Sequence, residues 1–335
     1  MIEPVEARMR RMVWSTLLLV AAVVMSLSAV TVAHAQGAWP SRPVRIVVPF
    51  TVGTGMDILA RTMQPRLAAR LGTPVVVENM PGASGNIGTE AVARSAPDGY
   101  TLLLTGDPFV TNLGMFKSVP YDPIKSFVPI GQIALGSLAL VVHPKMPVKS
   151  LAELVAAAKA TPGKINYGSP GNGTPHHLAM EMLKLHLGVD ITHIPYKGTA
   201  GAVTDLLAGQ IQVMFLPVHV ALPHAEAGRL RMLTAGGAQR SPVTPAVLSL
   251  AEAGLRDVET DMWYALFAPA GTPAPVVARL SAEIGAILGL AEVRESLLKQ
   301  GMTPAFTTAE KLAHHVQSEL KRWTAAIRQA GIQPD

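Results

Sequence analysis

From Val44 onward one pattern recurs: a short apolar run, a loop of small residues, then a segment with helical spacing. The first unit is VRIVVPF, then TVGTG, then Asp57 to Leu71. The second places Val75-Val76-Val77 before ENMPGASGNIGTEAVARSA, and PDGYTLLLTG supplies a turn and a buried strand from Tyr100 to Leu104. Apolar runs without strict alternation, separated by helices, predict a parallel sheet covered on both faces.

A second series begins near Leu138. LALVVHP reads as a strand, and Ser150 with Glu153 forms a capping box ahead of LVAAAKA. INYGSPGNGTPHHLAMEMLKLHLG repeats strand, Gly-rich loop and helix. Asp190 to Tyr196 reads as a strand, and the helix through Ala202–Ala208 stops at Gly209 before the strand IQVMF. RLRMLTAGG and LSLAEAG read as a further strand and helix. A third stretch from Trp263 ends in a helical segment, Ala309 to Ala330. Two α/β series and a helical tail predict two lobes with a cleft between them. The joins near 135–140 and 255–265 lack low-complexity composition and read as short hinge strands.

At the N-terminus, Arg8, Arg10 and Arg11 precede an apolar stretch from Met12 to Val32, followed by Ala33-His34-Ala35. Basic region, apolar region and A-x-A site together describe a secretory signal peptide cleaved after Ala35. The length of the stretch also admits an uncleaved anchor. The chain has no cysteine, which excludes disulfides, thiolate metal sites and a lipid-anchored cysteine. Its net charge of +5 falls to +4 without the leader, which carries three Arg and two Glu. That mild balance, with no block of like charges, gives no nucleic-acid surface. The length remaining exceeds one comfortable core, so two domains are expected.

Two loops stand out. Thr51 to Met56 leads into a helix, as does Ser169-Pro170-Gly171-Asn172-Gly173-Thr174, with Pro175 suited to a first helical turn. Unpaired N–H groups and the positive end of a helix dipole favour an anion. Neither loop contains Lys or Arg, so backbone amides, hydroxyls and water would do the holding, which suits a carboxylate bound reversibly. Plain tight turns are the competing reading of either loop alone. A dinucleotide site is disfavoured although Gly53-x-Gly55 follows a strand and Glu78 lies where a ribose-binding acid would sit. The third glycine position is Ile58. No phosphate-binding P-loop occurs.

Enzyme signatures are weak. Ser169 has Tyr167, not Gly, two positions before it, so there is no nucleophile elbow. Ser318 and Lys321 share a Ser/Lys spacing by chance, and His314-His315 reads as helix surface. His176, His177, Glu181 and His186 are the best metal candidates, but no third ligand joins His177 and Glu181, and capping by the histidines is the better reading. Asp57 reads as a helix cap or as a contact to a ligand ammonium or bound water. Lys197 could pair with a distal carboxylate or face solvent. Trp263 and Tyr264 could line a hinge or fill the core.

Several long segments, in order, resemble one family. WPSRPVRIVVPF, VVVENMPGASGNIGTEAVARSAPDGYTLLL, YGSPGNGTPHHLA, IPYKGTAGAVTDLLAGQIQVMF and APAGTP look like hallmarks of the extracytoplasmic solute receptors of tripartite tricarboxylate transporters, the Bug family. The resemblance runs from about Trp39 to the C-terminus. It implies an α/β, two-lobed periplasmic binding protein of type II topology, with residues 1–35 a signal peptide, 36–138 plus 260–335 lobe 1, and 139–259 lobe 2. It implies closure on a small carboxylate, a di- or tricarboxylate, acidic amino acid or aromatic acid, with no catalysis, cofactor or metal. The expected ligand contacts are Phe50, Thr51, Val52, Gly53, Thr54, Asp57, Ala83, Asn86, Thr105, Ser169, Gly171, Asn172, Gly173, Thr174, His177, Tyr196 and Lys197. Pro81–Asn86 and Thr105–Gly106 would add wall. A monomer delivering solute to membrane subunits or to a sensor protein is expected, with an exported enzyme on the same scaffold or a non-transport sensory receptor as alternatives.

The chain also departs from the family. The usual Phe-Pro-x-Gly-Gly-x-x-Asp is here Phe50-Thr51-Val52-Gly53-Thr54-Gly55-Met56-Asp57. The two hydroxyls add donors, or Thr54 distorts a loop that needs glycine. Leu216-Pro217 stands where the family has a polar residue, which predicts a less polar wall and brings aromatic or partly apolar acids into range.

Overall fold

The computed structural model describes residues 39–329 except 257 and 259, together with 9, 14, 16 and 334. The signal-peptide reading falls almost wholly outside the described residues. Among them no helix is long and apolar enough to cross a membrane. Residues 42–335 form one compact unit.

The first βα series folds as its pattern predicts. Strand β1 (Val44–Val48) lies between β2 (Val75–Asn79) and β3 (Thr101–Gly106), parallel to both. Helix α1 (Gly55–Leu71) buries Met56, Leu59, Ala60, Met63, Leu67 and Leu71, one face at three- and four-residue spacing, and stops at left-handed Gly72. Helices α2 (Asn86–Ala93) and α3 (Pro108–Met115) follow β2 and β3.

The second series repeats this around β5 (Asn166–Ser169), which pairs in parallel with β6 (Thr192–Pro195) and β7 (Val213–Pro217). Its helices are α4 (Leu151–Ala160), α5 (Pro175–Leu187), α6 (Thr199–Ala208) and α7 (Val218–Glu226). The capping box is present: Ser150 Oγ accepts the Glu153 N–H, and Glu153 reaches back to the Lys149 N–H. LSLAEAG is not a helix. Ser249 and Glu252 exchange side-chain and backbone bonds as a capping box would, but Gly254 ends the turn.

The sheet is mixed, not parallel throughout. Strand β4 (Phe127–Val142) runs through both halves. Its first part pairs antiparallel with β9 (Asp261–Pro269) and β10 (Met302–Thr308), its last part with β7 and β8 (Arg231–Ala235). The resulting order is β2-β1-β3-β9-β4-β7-β5-β6, with β8 and β10 paired to β4 off that path. Each half has its own core. One gathers Leu103, Phe109, Phe127, Trp263, Phe267, Trp323 and Ile327. The other gathers Ala139, Leu206, Met214, Leu216 and Val218. Helices α8 (Ala274–Leu288), α9 (Ala291–Lys299) and α10 (Ala309–Gln329) complete the first half, α10 lying against α3 and β4.

Candidate functional site

Parallel strands end where their helices begin, so helix N-termini collect at the carboxyl edge of an α/β sheet. Here five of them reach one cleft. Gly55 and Met56 begin α1, Pro108 begins α3, Pro175 and His176 begin α5, Thr199 begins α6, and His219 lies in the first turn of α7. All of these line an inner chamber of about 580 Å³, counted out to its open mouth. None of the five N-caps, Thr54, Asp107, Thr174, Gly198 or Pro217, makes a side-chain capping bond. No N-cap side chain therefore competes for the first-turn amides, although Pro108 and Pro175 carry no N–H and the Val110 N–H donates to the Asp107 carbonyl. Phe50, Thr54, Pro170 and Thr199 also line an outer chamber with Thr51, Ala83, Ser84, Gly171, Tyr196 and Lys197.

The first loop is fastened from behind. Asp57 is buried and accepts the Gly53 N–H at 3.0 Å and Arg61 Nε at 2.9 Å. Arg61 also donates to Asn79, whose side chain donates to the Phe50 carbonyl. Burial pushes the Asp57 carboxyl up, but these bonds outweigh it and hold it below its usual range. Asp57 is thus a loop clasp, lining neither chamber. Thr54 sits at φ −74°, an ordinary conformation for threonine, so no glycine is needed there. Its hydroxyl donates to the Thr51 carbonyl.

The second loop is closed by its own groups. Ser169 Oγ lies 2.7 Å from His193 Nε2 and donates to the Gly171 carbonyl. The Gly173 N–H donates to His177 Nδ1, and the His177 ring stacks on His193 at 4.3 Å. The two halves of the molecule then meet directly. Ser84 Oγ donates to the Asn172 carbonyl at 3.0 Å, and Thr111 Oγ1 to the Gly173 carbonyl at 2.9 Å. Ala83 and Ser84 both have left-handed backbones, at φ 46° and 52°, a strain that local bonding must offset. Asn112 Nδ2 supplies part of it by donating to the Ser84 carbonyl and to Asn86 Oδ1.

Of the expected contacts, Phe50, Thr51, Gly53, Thr54, Ala83, Gly171, Thr174, Tyr196 and Lys197 line a chamber. Asn86, Thr105, Ser169, Asn172, Gly173 and His177 lie behind the walls, and Val52 is 69% exposed at a loop tip. Leu216 belongs to the second core, and the wall role there falls to Pro217. Trp263 is core, and Tyr264 lines the inner chamber. The four metal candidates do not converge: Glu181 holds Tyr167 and Lys184, and His186 lies at the exposed end of α5. His315 is not free surface, for its ring meets Trp263 edge-on.

Four titratable residues in the inner chamber were not singled out as contacts: Asp107, His176, His219 and Tyr264. Asp107 could have been suspected, since Asp107-Pro108 follows a strand and Pro is favoured at a first helical turn. His219 likewise follows a strand end. Burial, with Glu319 nearby, pushes the Asp107 carboxyl up to about 8. Burial, with His219 nearby, pulls His176 down to about 3, and burial alone pulls His219 down to about 4. Burial does the same to His193, also to about 4.

These shifts predict a pH profile. Between about pH 4 and 6.5 the unfolded chain binds protons at His176, His193 and His219 that the native state refuses, so acidification favours unfolding. Asp107 and Asp261, both raised by burial, work the other way, and Asp107 releases its native proton only toward pH 8. Three histidines outweigh two carboxyls below pH 6.5, and Asp107 lowers stability as pH rises above it. Stability should peak near pH 6.5 and fall by at least about 2 kcal/mol on going to pH 4.5. Urea midpoints across pH 4–9 check this; a flat profile between 4.5 and 6.5 would contradict it.

Residues 59–332 match the family described as tripartite tricarboxylate transporter family receptor. Protein BugT of Bordetella pertussis is 37% identical over 88% of this chain and 90% of its own. An R. palustris protein solved with adipate superposes with a TM-score of 0.85 at 35% identity, covering 89% of this chain and all of the other (100%). MatC from Rhodopseudomonas palustris with bound malate gives 0.80 at 32%, over 86% and 100% of the two chains. The periplasmic binding protein BugD gives 0.84 at 33%, over 89% and 100%.

Proposed function

Because the chain belongs to the tripartite tricarboxylate transporter receptor family, we propose that it is a periplasmic receptor that closes its two lobes on a small carboxylate and releases it unchanged to a membrane transporter. The observation that carries this reading is the convergence of five uncapped helix N-termini on one cleft, from both sheet halves. Each end presents amide donors and a partial positive charge, and a carboxylate accepts from several without needing a fixed cation. Lys197, the one Lys or Arg lining either chamber among the described residues, is exposed in the outer one. The adipate and malate bound by two relatives support the same ligand class. We place the lobe boundaries where β4 changes partners, after Ser137, and where β9 begins.

The test is a thermal-shift screen of refolded protein against aliphatic and aromatic acids and their amides, followed by calorimetry. A ligand at about a hundredfold excess over Kd should add about 2.7 kcal/mol to folding. Shifts confined to acids and lost on amidation support the reading, and recovery of the acid chemically intact supports a receptor. Equal shifts with the amides would refute the carboxylate clamp.

A further inference from the structure

The inner chamber asks more of its ligand than a carboxylate can supply. Both ring nitrogens of His176 are buried without a hydrogen-bond partner, as are His219 Nε2 and Asp107 Oδ1. A neutral imidazole carries one donor and one acceptor. His176, only 8% exposed, therefore carries an unmet N–H and an unmet nitrogen lone pair on diverging edges of its ring, and His219 lines the same chamber. A carboxylate can only accept. A second carboxylate here would leave the His176 acceptor unmet, with no Lys or Arg among the described residues lining this chamber to neutralise it. A hydroxyl donates and accepts at once, so it can serve one His176 nitrogen and His219 Nε2 together. Apart from the hydroxyls of Thr54, Thr174, Thr199 and Tyr264, much of the remaining lining is apolar, with Met56, Pro108, Pro175, Pro217, Val220 and Met262. These surfaces suit a hydrocarbon or aromatic body.

Resting on the carboxylate reading above, we propose that the solute is a hydroxylated monocarboxylate with an apolar body, and that His176 and His219 are specificity-determining residues that bind its hydroxyl. The carboxylate occupies the amides at the α1 and α5 N-termini. A second negative charge reaching the outer chamber gains little from Lys197, whose ammonium is exposed and screened.

The experiment compares matched acids by calorimetry: meta- and para-hydroxybenzoate against benzoate, and omega-hydroxyhexanoate against hexanoate and adipate. In the native protein, at least one hydroxy acid should bind about tenfold or more tighter than its partner without the hydroxyl, because that partner leaves buried polar groups unpaired. Omega-hydroxyhexanoate should also exceed adipate. In His176→Phe the hydroxyl preference should collapse, the hydroxy acid and its plain partner binding within about threefold of each other. Adipate binding as tightly as its hydroxy counterpart would overturn the inference and leave the carboxylate reading standing. Equal losses for every acid in His176→Phe would also overturn it, placing the imidazole on the carboxylate. If no acid binds the native protein, both readings fall. Should the variant not fold, the native comparison of hydroxy acid, plain acid and adipate decides by itself.

Discussion

Replacing Trp323 by alanine should destabilise the protein by about 3–5 kcal/mol, the range for losing a large aromatic from a packed core. Trp323 is 2% exposed, near the end of α10, and belongs to the cluster that holds Phe109, Trp263 and Phe267. Its indole N–H donates to Glu319 at 3.1 Å, so truncation also leaves a buried carboxylate one partner short. Arg322 lies over the same ring at 4.6 Å and would lose that support. Ser318→Ala, on the exposed side of the same helix, should move stability by no more than about 0.5 kcal/mol. Denaturant melts of both variants make the test. A loss below about 1 kcal/mol for Trp323→Ala would mean that α10 is a dispensable tail and not part of the core.

Gly173→Ala should weaken binding by about 10- to 100-fold, measured against whichever acid stabilises the native protein most. Two costs combine at this position. Its φ of +75° disfavours any side chain by roughly 1–2 kcal/mol. A Cβ there would come within 2.7 Å of Met115 Cγ, across the junction between the two sheet halves. The second cost falls chiefly on the closed arrangement, so it appears in affinity as well as in stability. Gly188→Ala separates the two. It shares a positive φ of 59° but meets nothing within 4 Å, so it should lower stability and leave affinity unchanged. Equal affinities for Gly173→Ala and the native protein would mean that this contact does not form on binding.

The pattern of loops before helices was legible because small residues, prolines and capping groups act locally. That is why α1, α4 and α5 and their loops stand where the periodicity puts them. The first half of β4 was hidden by Pro129, Gly131 and Gly136, and its ladder with β9 indeed shifts register twice. β10 was missed because its burial does not alternate cleanly. LSLAEAG carries helical spacing, yet the bonds between Ser249 and Glu252 are spent on a single turn. The inner chamber was harder still. Asp107, His176, His219 and Tyr264 come from four separated segments, and a strand end before Asp107 or His219 is a local signal that does not say which residues topology will assemble. Asp57 shows the opposite limit: its importance was legible, but whether it faced a ligand or its own loop was decided by Arg61, one helical turn away.

Strand β4 lies between pieces of chain made at very different times. Its first part waits for β9 and β10, which begin at residues 261 and 302, whereas its last part needs only β7 and β8. Half of this sheet therefore cannot be completed until residue 308 is present. Such long-range pairing raises the contact order and slows folding. A nascent chain would carry an unfinished β1–β3 platform until β9 and β10 arrive, and the residues from 261 to 308 would set the moment at which the sheet becomes whole.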